Sequence, residues 1–147
     1  MTTTRTRQSD ADPKSLMHSA VAHLNAKRFE LAEPLLAAVV EARPQHVRAR
    51  LLLANTLWEL GNLADAAAHF CHATVLAPEH EFASLGLFHV LWKDSRREDA
   101  LDEARRFLTE QPDNVSEYRV LLAGMYKELG LDAKKQRSGK AKRKGAR

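Results

Sequence analysis

The apolar positions of this chain follow a helical period. In the segment 81–93, Leu87, Phe88 and Leu91 recur at spacings of three and four residues, which places them on one face of a helix. β-Branched residues form few runs, and no segment alternates strictly between apolar and polar residues, as a half-buried strand would. The pattern therefore predicts an all-α protein. The sequence Ser-Arg-Arg-Glu that begins at Ser95 is typical of a capping box, so we expect Ser95 to open a further helix.

Three prolines divide the chain at a constant interval. Pro44, Pro78 and Pro112 lie 34 residues apart, and each follows a helix-like segment. Because proline lacks an amide donor and disfavours helical conformation in the residue before it, these positions predict helix ends. A Leu-Trp pair also returns after 34 residues, with Trp58 and then Trp92. The interval predicts three repeats, at residues 13–46, 47–80 and 81–114.

The middle repeat carries a specific set of residues. Its packing and turn residues are Leu53, Ala54 and Leu57, then Gly61, then Ala66, Phe70 and Ala73, then Pro78. This segment resembles the tetratricopeptide repeat (TPR) family, and the outer repeats match it less well, since Ser95 replaces the turn glycine. The resemblance covers about residues 13–130. It implies a short, right-handed superhelical solenoid of helix–turn–helix repeats.

The ends of the chain depart from the repeat. After Pro112, residues 116–130 match the first helix of a fourth repeat with a shift of one residue, and no apolar second helix follows. We therefore expect a terminal helix at about 116–130 that covers the exposed end of the stack. Residues 1–12 and the basic tail 131–147 lie outside the repeats and are expected to be disordered.

Charge is distributed unevenly. Eight of the 23 Lys and Arg residues lie in the last fourteen positions, which contain no acid, and this leaves 15 basic against 19 acidic residues elsewhere. The tail is suited to non-specific attraction of anionic partners, but it lacks aromatic residues for base stacking and an apolar face for membrane insertion. With no secretory signal, no long apolar run and a single cysteine, Cys71, we expect a cytoplasmic protein.

Motifs for catalysis or metal binding are missing. The sequence contains no phosphate-binding glycine loop and no recognisable catalytic triad, so we predict a non-catalytic protein without a cofactor. His69, Cys71, His72 and His80 are close in sequence, and such residues are good zinc ligands. However, Cys71 lies about 200° around a helix from His69. We expect no metal site here, and a helix surface with exposed histidines and a partly buried Cys71.

The resemblance also implies a binding surface. In TPR proteins the first helices of successive repeats line a concave groove, and ligand-contacting side chains commonly come from five positions of each helix. Here those positions give an apolar and aromatic centre with charged edges, typical of a protein-binding surface. The candidate protein-binding residues are Met17, Val21, Leu24, Leu51, Asn55, Trp58, Phe82, Leu85, His89 and Trp92. Both tryptophans have two open interpretations, contact with a partner or packing on the neighbouring helix.

The co-chaperone subclass of TPR proteins grips an acidic peptide end with Lys, Asn and Arg. The corresponding positions here are Met17, Val21, Leu52, Phe82 and Gly86, and none of them grips a carboxylate. We therefore expect a protein-binding adaptor or scaffold whose partner inserts an apolar or amphipathic peptide segment. Two alternatives stay open: a dedicated small chaperone or neutralising partner of a secreted or toxic protein, and a nucleic-acid- or ribosome-associated factor that docks through the tail. The oligomeric state is open, as is filling of the groove by the tail or a second copy.

Overall fold

A computed structural model describes residues 12–128, and within that range the chain forms seven α-helices and no strand. This confirms the all-α prediction. The helices are α1 Pro13–Asn25, α2 Phe29–Ala42, α3 Val47–Glu59, α4 Leu63–Leu76, α5 Glu81–Lys93, α6 Arg97–Glu110 and α7 Ser116–Glu128. Three predicted features lie outside the described residues: the disordered segment 1–12 except for Asp12, the basic tail, and the last two residues of the predicted terminal helix.

The helices pair along the chain. α1 packs on α2, α3 on α4 and α5 on α6, and each pair packs on the next. Fully buried alanines recur where the helices meet and let their backbones approach closely. These alanines are Ala20, Ala32, Ala49, Ala54, Ala66, Ala73, Ala83 and Ala100. Larger buried residues such as Leu36, Phe70 and Phe107 fill the space between them.

The turn within a repeat is a Schellman C-cap. At the end of α3 the Asn62 N–H donates to the Leu57 carbonyl, and the Gly61 N–H donates to the Trp58 carbonyl, both at 2.9 Å. These two bonds satisfy carbonyls that the helix end would otherwise leave unpaired. The geometry requires a left-handed residue, and Gly61 has φ of 82°. Glycine adopts this conformation without a steric penalty.

The same turn follows α1 and α5 without a glycine. Lys27 and Ser95 stand at the positions equivalent to Gly61, with φ of 56° and 62°. The prediction of a capping box at Ser95 is therefore wrong, because Ser95 completes the C-cap of α5 and does not open α6. The N-cap of α6 is Arg96, which makes no side-chain capping bond. Tertiary geometry thus imposes on Ser95 a conformation that its sequence context does not favour.

The connection between repeats is set by proline and histidine. The residue before each proline leaves the helical conformation, as Ala77 does before Pro78, with φ of −139° and ψ of 78°. The next helix is then capped by a histidine: Nδ1 of His46 accepts the Ala49 N–H at 3.1 Å, and His80 caps α5 in the same way at 3.3 Å. These bonds satisfy donors at the helix start.

The last helix is held by one buried side chain. Tyr118 of α7 is fully buried, and its ring stacks on Phe107 with centroids 5.3 Å apart. Its hydroxyl lies 2.5 Å from the Ser84 Oγ, which in turn donates to the Glu103 carboxylate at 2.7 Å. Burial raises the pKa of Tyr118 to about 12. The loop before α7, residues 111–115, is one residue longer than 43–46 and 77–80, so α7 begins one residue beyond the 34-residue register.

Candidate functional site

The first helices of successive repeats form a common surface. α3 contacts α5, and α5 contacts α7. A cavity of about 440 Å³ lies between them, lined by Asn55, Trp58, Glu59, Phe70, Phe82, Leu85, Gly86, His89 and Glu117. A second cavity of about 300 Å³ is lined by Phe88, His89, Trp92, Val120, Leu121, Gly124 and Met125. His89 borders both, and we call the two cavities together the groove.

The floor of the larger cavity depends on a glycine. A Cβ at Gly86 would lie 2.3 Å from the Phe70 Cε1, well inside van der Waals contact. The absence of a side chain lets the Phe70 ring, which comes from α4, reach between the first helices. Gly86 and Phe70 therefore give the cavity an apolar floor. The sequence analysis placed Gly86 at a clamp position of the co-chaperone subclass and Phe70 among the packing residues, and it named neither as a protein-binding residue. A glycine inside an apolar helix is, however, a signal for close approach.

Trp58 lies at the rim of this cavity and is partly buried. Its ring meets His89 edge-on, with centroids 6.3 Å apart and an interplanar angle of 76°. The Lys93 Nζ lies 5.6 Å from the ring centroid, a distance that permits a cation–π attraction. Trp58 thus has polar neighbours on the groove side as well as apolar contacts to the core.

Trp92 has different surroundings from Trp58, although both occupy the same position in their repeats. Its ring stacks on Phe88, with centroids 5.6 Å apart and an interplanar angle of 17°. The Arg97 guanidinium lies 5.1 Å from its ring centroid. Trp92 lines the smaller cavity, but these contacts tie it to its own helix and to the start of α6.

His89 lies at the centre of the groove. Its ring stands edge-on to Phe88 as well as to Trp58. Although part of the ring reaches solvent, burial lowers the pKa of the His89 imidazole below its usual 6.5. At neutral pH the ring is therefore uncharged, and one nitrogen can donate a hydrogen bond while the other accepts one. The centre of the groove is polar without carrying charge.

The groove brings together most of the predicted surface. Asn55, Trp58, Phe82, Leu85 and His89 line the larger cavity and Trp92 lines the smaller one. Phe82 stands out because it is 70% exposed, unusual for a phenylalanine. The other candidates lie elsewhere: Met17 lines a separate cavity, while Val21, Leu24 and Leu51 are partly buried and line none of these cavities.

The histidine cluster serves the fold. His69 lies 3.2 Å from the Arg50 guanidinium, and burial followed by this positive charge lowers the pKa of its imidazole. His80 caps a helix, as described above. Cys71 is exposed, so the expectation that it is partly buried is wrong. In the part of the chain that the structure describes, no three His, Cys, Asp or Glu residues are placed to hold a metal ion. Across residues 12–128, no helix has the length and hydropathy needed to cross a membrane.

Comparisons with known proteins agree with this architecture. Residues 19–79 match the family model described as Tetratricopeptide repeat. Two structures of MamA AMB-1 superpose with TM-scores of 0.65 and 0.62 at 24% and 25% identity, covering 76% and 66% of this chain and 60% and 57% of MamA. YrrB, described as a TPR protein with an unusual peptide-binding site, has a TM-score of 0.64 at 24% identity, over 69% of this chain and 53% of its own. This chain thus spans less than two thirds of the length of these proteins. None of the curated proteins matches it in sequence.

Proposed function

Because the chain is a tetratricopeptide repeat protein, we propose that it is a non-catalytic adaptor that binds a peptide segment of a protein partner in the groove. TPR folds are protein-interaction scaffolds, and YrrB is described as having a peptide-binding site. The observation that carries the proposal is Phe82, which is 70% exposed beside a cavity of about 440 Å³. An exposed aromatic at the mouth of an apolar cavity is typical of a binding anchor.

The lining favours a segment with apolar side chains. Trp58, Leu85 and the Phe70 ring supply the apolar walls, and the cavity volume falls in the range of ordinary ligand pockets. Asn55 and His89 supply hydrogen-bonding groups beside these walls, suited to the backbone of an extended peptide. Binding would bury the apolar side chains of the partner and exclude water from these polar contacts.

The test compares two exposed apolar residues with a single substitution type. Phe82→Asp places a charge in the groove, whereas Val75→Asp changes a residue of α4 that is 72% exposed and lines neither cavity. Both variants should keep the helical circular dichroism of the parent chain, because neither side chain is buried. Affinity purification with quantitative mass spectrometry should recover the partner with Val75→Asp, and at least tenfold less of it with Phe82→Asp.

The two tryptophans give a second readout. Trp58 and Trp92 both line the groove, so the purified partner segment should shift their fluorescence to shorter wavelength as water leaves the indoles. If a partner binds both variants equally and leaves the fluorescence unchanged, the groove is not its binding site. Trp92→Ala is a poorer test, since it removes the stacking on Phe88 and disturbs the fold.

A further inference from the structure

A third cavity lies at the beginning of the stack. Its volume is about 180 Å³, and it is lined by Pro13, Lys14, Met17, Val39, Arg43, His46 and Arg48. These residues come from the start of α1, the end of α2 and the start of α3. Three of them carry a fixed positive charge, and no carboxylate is among them. We call this site the cationic cavity.

The three cations of this cavity form no ion pair with any side chain that the structure describes. Among residues 12–125, every ion pair lies between positions 96 and 110, and no carboxylate oxygen is within 4.0 Å of the charged groups of Lys14, Arg43 or Arg48. Three like charges around a small concavity repel one another and raise the local positive potential. The rest of the chain outside the basic tail has more acidic than basic residues. An anion bound here would therefore relieve repulsion that the described carboxylates do not offset through an ion pair.

The register places this cavity on the same face as the groove. Lys14 and Arg48 are the second residues of their helices, as Phe82 is of α5. Met17 is the fifth residue of α1, as Leu85 is of α5. Since Phe82 and Leu85 line the groove, the equivalent positions of α1 and α3 face the same side. The concave face thus changes from cationic at its start to aromatic at its third repeat.

The chemistry of the cavity specifies its occupant. Its walls include the apolar Pro13, Met17 and Val39, while the cations supply donors for an anion. A glutamate side chain has both parts, methylenes for the apolar wall and a carboxylate for the cations. A bare phosphate would leave the apolar wall in water.

We propose that the cationic cavity is a second subsite of the concave face that binds acidic side chains of the same partner segment. This rests on the function proposed above, and it defines the partner as an acidic segment joined to an apolar one. The acidic part of the segment lies at the cationic cavity and the apolar part lies in the groove, because Glu59 and Glu117 line the larger cavity of the groove and repel an acidic segment there. The charged side chains of this subsite do not stand at the clamp positions of the co-chaperone subclass. Met17 is the one residue that belongs to both the cavity lining and the clamp positions, and it carries no charge.

The probe for this subsite is N-acetyl-tetraglutamate amide, titrated into the full ¹⁵N-labelled chain and followed by ¹H–¹⁵N correlation spectra. We expect saturable shifts at residues 14–17 and 46–49, with a dissociation constant on the order of millimolar, as few exposed ion pairs provide. Tetralysine amide should not produce them. Raising NaCl from about 50 to about 300 mM should weaken the binding at least about threefold.

The controls separate this subsite from other basic residues. The double variant Arg43→Gln/Arg48→Gln should lose the shifts at 14–17 and 46–49, while Arg105→Gln/Arg119→Gln, two exposed arginines outside the cavity, should keep them. Shifts confined to the tail, shifts spread evenly over all basic residues, or shifts that survive in the Arg43/Arg48 variant would overturn the assignment.

Two further outcomes are distinguishable. Tetraglutamate has no apolar side chain, so its failure to bind overturns the subsite and leaves the Phe82 test of the groove unaffected. Conversely, a groove that fails its own test leaves the tetraglutamate result standing. If phosphatidylglycerol vesicles bind the parent chain but not Arg43→Gln/Arg48→Gln, and tetraglutamate gives no shifts, the cavity serves a membrane surface and the peptide assignment is wrong.

Discussion

Tyr118 is the side chain through which the last helix is attached to the stack, and its removal tests how that helix is held. Tyr118→Ala deletes a fully buried ring that stacks on Phe107 and meets Phe88 edge-on. Within the part of α7 whose side chains are described, no other residue is buried to this extent. Since an end helix of a solenoid can detach without unfolding its neighbours, we expect α7 to undock locally.

The magnitude follows from the burial. Replacing a buried aromatic residue by alanine destabilises by about 3–5 kcal/mol. Because α7 can undock locally, we use the lower figure of about 3 kcal/mol. It corresponds to a rise of about 150-fold in the population of the undocked state, and therefore in the observed amide exchange rate of α7. Tyr118→Phe keeps the ring and removes one hydroxyl. Ser84 still donates to Glu103, so this change should destabilise by only about 0.5–1.5 kcal/mol.

Native-state amide hydrogen exchange is the direct assay. Tyr118→Ala should abolish protection in 116–125 and leave the amides of α3 and α4 near their parent values. Val120→Ala is the matched control on the same helix, because Val120 is 71% exposed, and it should change exchange by less than about threefold. If α7 stays protected in Tyr118→Ala, this side chain does not hold the helix. If Tyr118→Phe is as damaging as Tyr118→Ala, the hydroxyl network holds α7 and the ring stacking does not.

The same residue gives a pH signature. An unfolded tyrosine has a pKa near 10, and burial raises that of Tyr118 to about 12. The folded state therefore keeps a proton that the unfolded state releases, so its stabilising effect is complete below pH 10 and is lost as pH rises through 12. The loss amounts to about 2–3 kcal/mol. Urea titrations from pH 9 to 12 should show this fall in the parent chain but not in Tyr118→Phe, and identical profiles would refute the assignment.

Two backbone predictions concern the turns and the groove floor. Lys27→Gly and Ser95→Gly should each stabilise the fold by about 0.5–1 kcal/mol in urea titrations, because relief of about 1–2 kcal/mol of left-handed strain exceeds the entropy that glycine adds to the unfolded chain. Gly61→Ala should destabilise by about 1 kcal/mol, and a loss of stability in either glycine variant would argue against the C-cap described here. Gly86→Ala should destabilise by about 1–3 kcal/mol through collision with the Phe70 ring, and Phe70→Leu should recover part of that loss. A stability gain in Gly86→Ala, as helix propensity alone predicts, would mean that Phe70 moves aside freely.

The helices and their repeat followed from sequence because the determinants are local. An apolar stripe at helical spacing, a proline that forces the preceding residue out of the helix, and a glycine at a left-handed turn each act within a few residues. The 34-residue interval then repeats these local determinants in each repeat. The Schellman turn after α3 could be anticipated from Gly61. The repeat register also placed Ser95 at the turn position, but the local capping-box pattern predicted a helix start there, and the left-handed conformation of Ser95 shows that the register was the better guide.

The surface of the groove was only partly predictable. Phe82 and Leu85 could be located by register, because the second and fifth residues of a helix lie on one face. The contact between Gly86 and Phe70 could not, because a glycine inside a helix signals a close approach but does not identify the side chain of another helix that makes it. The cationic cavity is similar, since Lys14, Arg43 and Arg48 meet only where three helix ends converge.

The two tryptophans separate what the sequence determines, their position in the repeat, from what tertiary structure determines, their surroundings. Their interval of 34 residues determined that both would lie at the same position of equivalent helices. Four residues before each tryptophan, however, stands Ala54 in one repeat and Phe88 in the other. Phe88 offers a ring on which Trp92 stacks, whereas Ala54 offers none, and Trp58 instead meets His89 from the next helix. Equivalent positions therefore acquire different surroundings, because packing depends on side chains that converge in space rather than along the chain.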